Sequence, residues 1–299
     1  RDFYACDDLD GENDNGISIF DFSSVEDELF SILPNPQDLE ITYYTSESDA
    51  LSESNPIEDI SNYSNTNSPF DQDIYVRVDN KIYNDCVGLG KHITLTVNPS
   101  PEFYIEQRQI LCVSNPNHSL VLYPVASNPQ EAFNYSWTLN GEIIASSPTL
   151  TVSNPGDYSI TLTKTDGTGC SRTETVSVVA SEIATITPTD ITIVDLSENN
   201  SLTIKNPSSL GSGDYWFSLE SNDGQISHPY QDEPVFNNLK GGIYTLFVAD
   251  KNGCGIATLP ISVIGYPKFF TPNNDGINDY WQIQGLSDLI QPNSSIHIF

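Results

Sequence analysis

The stretch GDYSITLTKTDGTGC, residues 156–170, joins a tyrosine, an alternating apolar and polar run, a turn rich in Asp and Gly, and a cysteine. The same order recurs in DIYVRVDNKIYNDC at 73–86 and in GGIYTLFVADKNGC at 241–254. The three tyrosines are separated by 158 − 75 = 83 and 244 − 158 = 86 residues. A period of this length is typical of a whole β-sandwich domain and not of a solenoid turn.

Short alternating runs continue between these copies. Examples are HITLTV at 92–97, TVSVVA at 175–180 and SLTIK at 201–205, which are separated by clusters of Pro, Asn, Gly and Ser. Alternation with a period of two residues predicts half-buried strands. One segment, SVEDELFSIL at 24–33, has a helical pattern instead. The sequence therefore predicts an all-β chain of tandem antiparallel sandwiches.

The middle copy contains Trp137 in YSWTLNG, between Cys112 and Cys170, and Tyr158 follows it. This arrangement resembles immunoglobulin-like and polycystic-kidney-disease-like domains, in which a strand Trp fills the core and a Tyr closes a corner. Ile160, and not a Cys, stands two residues after the Tyr, so no disulfide is implied at the usual place. We interpret Trp137 as a core residue, because buried aromatic side chains dominate sandwich cores.

The charge balance excludes several classes of partner. The chain has 299 residues, of which 41 are acidic and 11 basic, and its formal net charge is −30. Nucleic acid and anionic membranes attract clustered Lys and Arg, so neither is expected as a partner. The chain has no methionine and no apolar run of about 18 residues, so we expect that its start is not a translational start and that any signal peptide was removed or lies upstream.

The five cysteines predict disulfides. No Cys-x-x-Cys pair occurs and the four histidines are scattered, which makes a zinc site a poor interpretation. One pair per domain would join Cys6 with Cys86 and Cys112 with Cys170, and would leave Cys254 over. Five buried free thiols are the alternative. Disulfides would place the chain outside the cytoplasm.

Residues 266–283, YPKFFTPNNDGINDYWQI, are rich in turn-forming residues. With PNSSIHIF after it, this run resembles the opening of the type B C-terminal sorting domain of the Bacteroidota type IX secretion system, also called the gliding-motility-associated C-terminal domain. The resemblance covers residues 266–299, well under half of such a domain. The residues that match its hallmark are Phe270, Thr271, Pro272, Asn273, Asp275, Gly276, Asn278, Asp279 and Trp281. We interpret the carboxylates and amides among them as structural, bonding the loop's own amides, with a bound cation as the alternative.

Looser resemblances extend upstream. ACDDLDGENDNGISIFDFSSVEDEL at 5–29 and IYVRVDN at 74–80 resemble repeats of large surface proteins of the same secretion route, and YWFSLESNDGQ at 215–225 resembles the repeat of gliding-motility adhesins. Together they imply sandwiches at 1–99 (incomplete at its start), 100–181 and 182–265, followed by the truncated sorting domain at 266–299. The resemblance implies a secreted adhesin at the cell surface, which crosses the periplasm and is recognised by the type IX translocon and an outer-membrane β-barrel partner.

An acidic stretch near the start suggests calcium. Calcium takes several carboxylate and carbonyl oxygens on a kinked loop, and Gly16 offers such a kink. A helix-loop-helix site is excluded, because Phe22 stands where that site needs a Glu. A looser site and a solvated turn are the alternatives. The candidate ligands are Asp8, Asp10, Asp14 and Asp21.

Catalytic motifs are missing from the sequence, which contains no nucleophile elbow, no His-Glu-x-x-His and no phosphate loop. We therefore expect a protein that is not an enzyme and carries no cofactor besides a candidate calcium ion. Two alternatives to an adhesin stay open. Aromatic residues such as Tyr43, Tyr44, Tyr215 and Trp216 could stack on a surface polysaccharide, as in an accessory carbohydrate-binding region of a larger hydrolase. A calcium-stiffened spacer is the other.

Overall fold

The computed structural model describes residues 1–7, 15–83, 85–274 and 279–286. These residues fold mainly into strands, which confirms the prediction of an all-β chain of tandem immunoglobulin-like sandwiches. The chain divides into two compact units: the first comprises 1–107, 122–150 and 157–176, and the second comprises 108–121, 151–156 and 177–299. No helix in the described part has the length and apolar character needed to cross a bilayer.

The first sandwich begins the first unit. Its elements are β1 (Asp2–Asp7), β2 (Ile19–Phe20), α1 (Ser24–Ile32), β3 (Leu39–Tyr44), α2 (Glu47–Ser52), β4 (Tyr63–Ser64), β5 (Asp71–Asn80) and β6 (Asp85–Pro99). The main sheet has the order β1-β6-β5-β3, in which β1 runs parallel to β6 and the other pairs are antiparallel. Alternation along β5 and β6 buries Ile74, Ile93 and Leu95 completely, together with Phe22.

Two α-helices belong to the described part of this sandwich, and the sequence predicted only one of them. α1 lies where the helical pattern was found and buries Val25 and Leu29. α2 escaped notice because it spans six residues, although Ser46 caps it by accepting a hydrogen bond from the Asp49 amide at 3.1 Å. Arg77 of β5 holds the end of α2, since its guanidinium donates to the Ala50 carbonyl at 2.9 Å.

The second sandwich consists of β7 (Phe103–Tyr104), β8 (Arg108–Cys112), β9 (Leu120–Leu122), β10 (Val125–Ala126), β11 (Phe133–Leu139), β12 (Glu142–Ala145), β13 (Leu150–Val152), β14 (Gly156–Lys164) and β15 (Ser171–Ser181). In the first unit, neighbouring strands follow the order β12-β11-β14-β15. The end of β15 belongs to the second unit, where residues 177–181 pair in parallel with β8. Trp137 is fully buried and its indole N–H donates to the Ser147 carbonyl at 2.9 Å, so its predicted core role is confirmed.

The third sandwich lies in the second unit. Its strands are β16 (Ile191–Val194), β17 (Asn200–Ile204), β18 (Tyr215–Ser221), β19 (Ser227–Gln231), β20 (Val235–Leu239), β21 (Gly242–Asp250) and β22 (Ile256–Val263). They form two sheets, β16-β17-β20 and β19-β18-β21-β22, around a core that contains Phe217, Leu219 and Phe236. The Tyr244 hydroxyl donates to the Lys240 carbonyl at 2.7 Å, which is the hydrogen bond of a tyrosine corner.

Each copy of the sequence repeat becomes the same piece of structure. The tyrosine and the alternating run form the penultimate strand of a sandwich, namely β5, β14 or β21. A turn follows, and the cysteine stands at or just before the start of the last strand, namely β6, β15 or β22. The repeat therefore places one cysteine at the same end of every sandwich.

Candidate functional site

The structure contains two disulfides. They join Cys6 to Cys170, with Cα atoms 5.5 Å apart, and Cys112 to Cys254, with Cα atoms 5.3 Å apart. Cys86 is outside both, and its exposed thiol lies 3.6 Å from the Gly88 carbonyl oxygen. Disulfide formation was predicted correctly, but both predicted pairs are wrong.

Strand register explains why the predicted pairs do not form. Cys6 lies beside Asn98 near the end of β6, whereas Cys86 is 98 − 86 = 12 residues back along that strand. A strand rises about 3.3 Å per residue, so these positions are about 40 Å apart. A disulfide needs Cα atoms within about 7 Å of each other. The predicted Cys112–Cys170 pair is also absent, since Cys112 is bonded to Cys254 and Cys170 to Cys6.

The terminal segment, residues 266–299, contacts the third sandwich at several points in its described part, among them an ion pair of 3.1 Å between Lys268 and Glu198. The Gln284 amide donates to the Gly265 carbonyl at 2.8 Å, and the Gly265 amide donates to the Gln284 carbonyl at 3.1 Å. The Ser262 hydroxyl also donates to the Gly285 carbonyl. Residues 266–274 and 279–286 contain no strand. The described part of the terminal segment is therefore bridged to the sandwich but does not extend its sheet.

The aromatic hallmark residues lie on the surface of this segment. Phe270 is 52% exposed and Trp281 is 41% exposed. The Trp281 ring is tilted against the Tyr266 ring, with centroids 6.4 Å apart. These rings are therefore not buried in the core of the third sandwich.

The polar hallmark residues form local turns. The Asn274 amide donates to the Asp279 carboxylate at 2.6 Å, which is the kind of bond that the structural interpretation of Asp279 predicted. The Asn273 amide donates to the Thr271 carbonyl at 2.8 Å. Pro272, between them in the chain, is exposed. The other hallmark residues, Asp275, Gly276 and Asn278, lie outside the described residues.

An aromatic pair stands on the outer face of β18 and β19. Of the four residues considered for sugar stacking, Tyr43, Tyr44 and Tyr215 are buried. Trp216 is 40% exposed because alternation turns it away from the core, and it stacks on Tyr230, which is 38% exposed, with ring centroids 5.1 Å apart. Sequence reasoning missed Tyr230, since SHPYQ in β19 shows no alternation.

The proposed calcium ligands fall mostly outside the described residues, as Asp8, Asp10 and Asp14 do. Asp21 is described, and its carboxylate accepts hydrogen bonds from the hydroxyl of Ser23 at 2.6 Å and from its amide at 3.0 Å. The hydroxyl contact is the main reason why the pKa of Asp21 lies below its usual value. Within the described residues no cluster of three His, Cys, Asp or Glu is placed to hold a metal. Calcium at this stretch stays a prediction.

Comparison with known proteins gives one family. Residues 2–101, which span the first sandwich, match the model of the Flavobacterium inter-domain disulphide bond domain. No curated protein matches the chain. Solved structures with similar folds include three N-terminal domains of the highly immunogenic outer capsid protein of bacteriophage RB49, at 11% identity and a TM-score of 0.36, covering 77% of this chain and 89% of that one. Titin domains A168–A170 are 14% identical with a TM-score of 0.33, and the coverages are 76% and 89%.

These findings define a class of protein. The chain is an all-β string of immunoglobulin-like sandwiches with disulfides between neighbouring domains, which is a cell-surface type of architecture. Its first sandwich matches a flavobacterial domain and thereby points to the Bacteroidota.

Proposed function

We propose that the chain is part of a secreted, non-enzymatic, adhesin-like surface protein that leaves the cell through the type IX secretion system. The sandwiches are the passenger in this proposal, and they act in surface adhesion or gliding. The terminal segment is the sorting signal, which the translocon and an outer-membrane β-barrel partner recognise after the chain has entered the periplasm. The mechanism is recognition and requires no bond chemistry.

The exposed hallmark aromatics are the observation that best supports this function. Aromatic side chains dominate the energy of protein recognition when they are buried by a partner. Phe270 is 52% and Trp281 is 41% exposed, and neither belongs to the core of the third sandwich. The Gly265–Gln284 bridge and the Lys268–Glu198 ion pair hold the segment beside that sandwich and leave these rings exposed to another surface.

Deletion of residues 266–299 from the natural chain tests the proposal. Both disulfides end at or before Cys254, so the upstream sandwiches keep their cross-links and should fold. We expect the shortened protein to accumulate in the periplasm with both disulfides formed. The full-length Trp216→Ala variant is the control and should reach the surface. Arrival of the shortened protein at the surface would show that the segment is not the sorting signal.

A second candidate function is glycan binding by the Trp216 and Tyr230 pair. The two stacked and partly exposed rings form an apolar surface on a sheet face. Aromatic surfaces of this kind can pack against the C–H face of a sugar ring. An array of neutral polysaccharides probed with the whole chain tests this function. Saturable binding that Trp216→Ala abolishes and Tyr104→Ala preserves would favour it, since Tyr104 is an even more exposed aromatic residue elsewhere, at 68%.

A further inference from the structure

The outer face of the sheet β19-β18-β21-β22 continues beyond the aromatic pair. Successive residues of a strand point to opposite faces of a sheet. Phe217 of β18, Leu246 of β21 and Leu259 of β22 point into the core of the third sandwich, so the residues between the core positions face outward. Among the outward residues are Trp216, Phe247, Ala249, Ile256 and Pro260.

Four outward residues form one row across the sheet. Trp216 lies opposite Ala249, and Ala249 lies opposite Ile256 on the next strand. Tyr230 of β19 extends the row at its other end, since its ring stacks on Trp216. Neighbouring strands are about 4.8 Å apart, so this apolar row is about 14 Å long. Ile256 is 55% exposed and Ala249 only 6%, so the row has bulky ends and a low centre.

The face that carries the apolar row is almost uncharged, although the chain is strongly acidic. Glu220 is the one charged residue at an outward position of β18, β21 and β22, all of which lie in the described part of the chain. Thr258 lies opposite Phe247 beside the apolar row, and Thr245 lies opposite Glu220. Apolar groups and a few polar oxygens therefore share one face. A sugar chain has the matching surface, with C–H groups on its ring faces and hydroxyl groups at its edges.

Size and charge favour a glycan over a second protein on this face. The apolar row and the length of β21 from Ile243 to Ala249 give a face of about 14 Å by about 20 Å, which is about 300 Å². A stable protein interface buries about 800 Å² on each partner. A second copy of the chain would also bring its own charge of −30 against this one. A neutral glycan meets neither obstacle.

We propose that this face binds an extended, uncharged polysaccharide that lies across the strands along the apolar row. Trp216 and Tyr230 stack on one sugar unit, and Ile256 contacts a later unit of the same glycan. The inference rests on the glycan-binding function proposed above and extends it from an aromatic pair to the whole row. The glycan is held by apolar contact and hydrogen bonds, and no covalent bond forms or breaks.

The dependence of affinity on glycan length tests this inference. The whole chain is titrated in a calorimeter with linear oligosaccharides of two, four and six sugar units, of the cellulose, xylan and mannan types. We expect at least one series to bind with an affinity that rises with length, because a longer glycan reaches past Trp216 to Ile256. Ile256→Ala should weaken binding of the six-unit probe about fivefold and leave that of the two-unit probe unchanged. Trp216→Ala should weaken binding of both.

Ile143→Ala is the matched control, since Ile143 is a 70% exposed isoleucine in β12 of the second sandwich. Both isoleucines are exposed, so neither change removes a core residue, and the control should bind every probe as the unaltered chain does. Binding that is independent of length, lost in Trp216→Ala and kept in Ile256→Ala, would overturn the inference and leave glycan binding in place.

Two further outcomes would also overturn the inference. If no series binds the unaltered chain, glycan binding itself is contradicted and the inference falls with it. Sedimentation of the same samples detects the other outcome, in which a second copy covers the face. In that case the unaltered chain would be a dimer that Ile256→Ala dissociates and Ile143→Ala does not.

Discussion

At the scale of the residue, two tryptophans show how position decides the role of a side chain. Trp137 and Trp216 both lie in strands, yet the first is fully buried and the second stands on an outer face. The sequence predicted that Trp137 is buried, because Trp137 followed by Tyr158 resembles the core Trp and corner Tyr of an immunoglobulin-like sandwich. Alternation alone could not place Trp216, since it separates the two faces of a strand without saying which one is buried.

We predict that Trp137→Ala lowers the free energy of unfolding by about 3–5 kcal/mol, because it leaves a large cavity in a close-packed core. The matched change Trp216→Ala should cost only about 0.5 kcal/mol. Urea unfolding followed by circular dichroism measures both. Equal losses would mean that Trp137 does not fill a core.

Acid should destabilise the protein as the pH falls below about 4. Side-chain hydroxyls, that of Ser46 at Asp49 and that of Thr168 at Asp166, hold the pKa of each carboxyl below its usual value of 3.8. A carboxyl with a lowered folded-state pKa stabilises the fold above its unfolded pKa, and this contribution is lost as the pH falls through the folded pKa. Melting temperatures measured from pH 7 to pH 2.5 should therefore fall below pH 3.8, and a fall that is complete by pH 5 would contradict this cause.

At the scale of the element, sequence repeats predicted strands well and their cross-links badly. The alternating runs around Tyr75, Tyr158 and Tyr244 became the penultimate strands β5, β14 and β21. The disulfide pairs could not be predicted from alternating runs, because pairing depends on which end of a sheet each cysteine occupies. That end follows from the parallel register of β1 with β6 and of β8 with β15, which no local pattern encodes.

The bridge to the terminal segment depends on glycine at its contact. A Cβ added to Gly265 would lie 2.7 Å from the Gly241 Cα, which is closer than real Cβ atoms approach backbone. We predict that Gly265→Ala breaks the bridge and speeds hydrogen exchange of the Gln284 amide. Gly88→Ala is the control, since nothing lies within 4 Å of its added Cβ. Equal exchange of Gln284 in both variants would show that the close approach does not hold the segment.

At the scale of the whole molecule, the two disulfides interleave along the chain. They span sequence separations of 164 and 142 residues, and the stretch between Cys112 and Cys170 lies inside both loops. On the chain-entropy model each closure restricts the unfolded chain by about 5 kcal/mol. The sequence suggested one disulfide inside each domain. In that arrangement no disulfide would join one sandwich to the next.

A single cut between β7 and β8 distinguishes these arrangements. We propose to insert a specific protease site between Gln107 and Arg108, where the chain is exposed. The cut protein should stay one species without reductant and separate into two with it, because Cys6–Cys170 spans the cut. A site between Pro267 and Lys268 is the control, since no disulfide spans it and its fragment should leave in both conditions. Separation of the first cut without reductant would contradict the observed pairing.

The fraction of the protein that reaches the cell surface tests the proposed sorting signal most directly. It is measured by surface labelling of cells that produce the natural chain with both Phe270→Ala and Trp281→Ala, beside cells that produce the Trp216→Ala control. The account predicts that the double variant stays in the periplasm with both disulfides formed, while the control is labelled as fully as the unaltered chain. Surface labelling of the double variant at the unaltered level would contradict it.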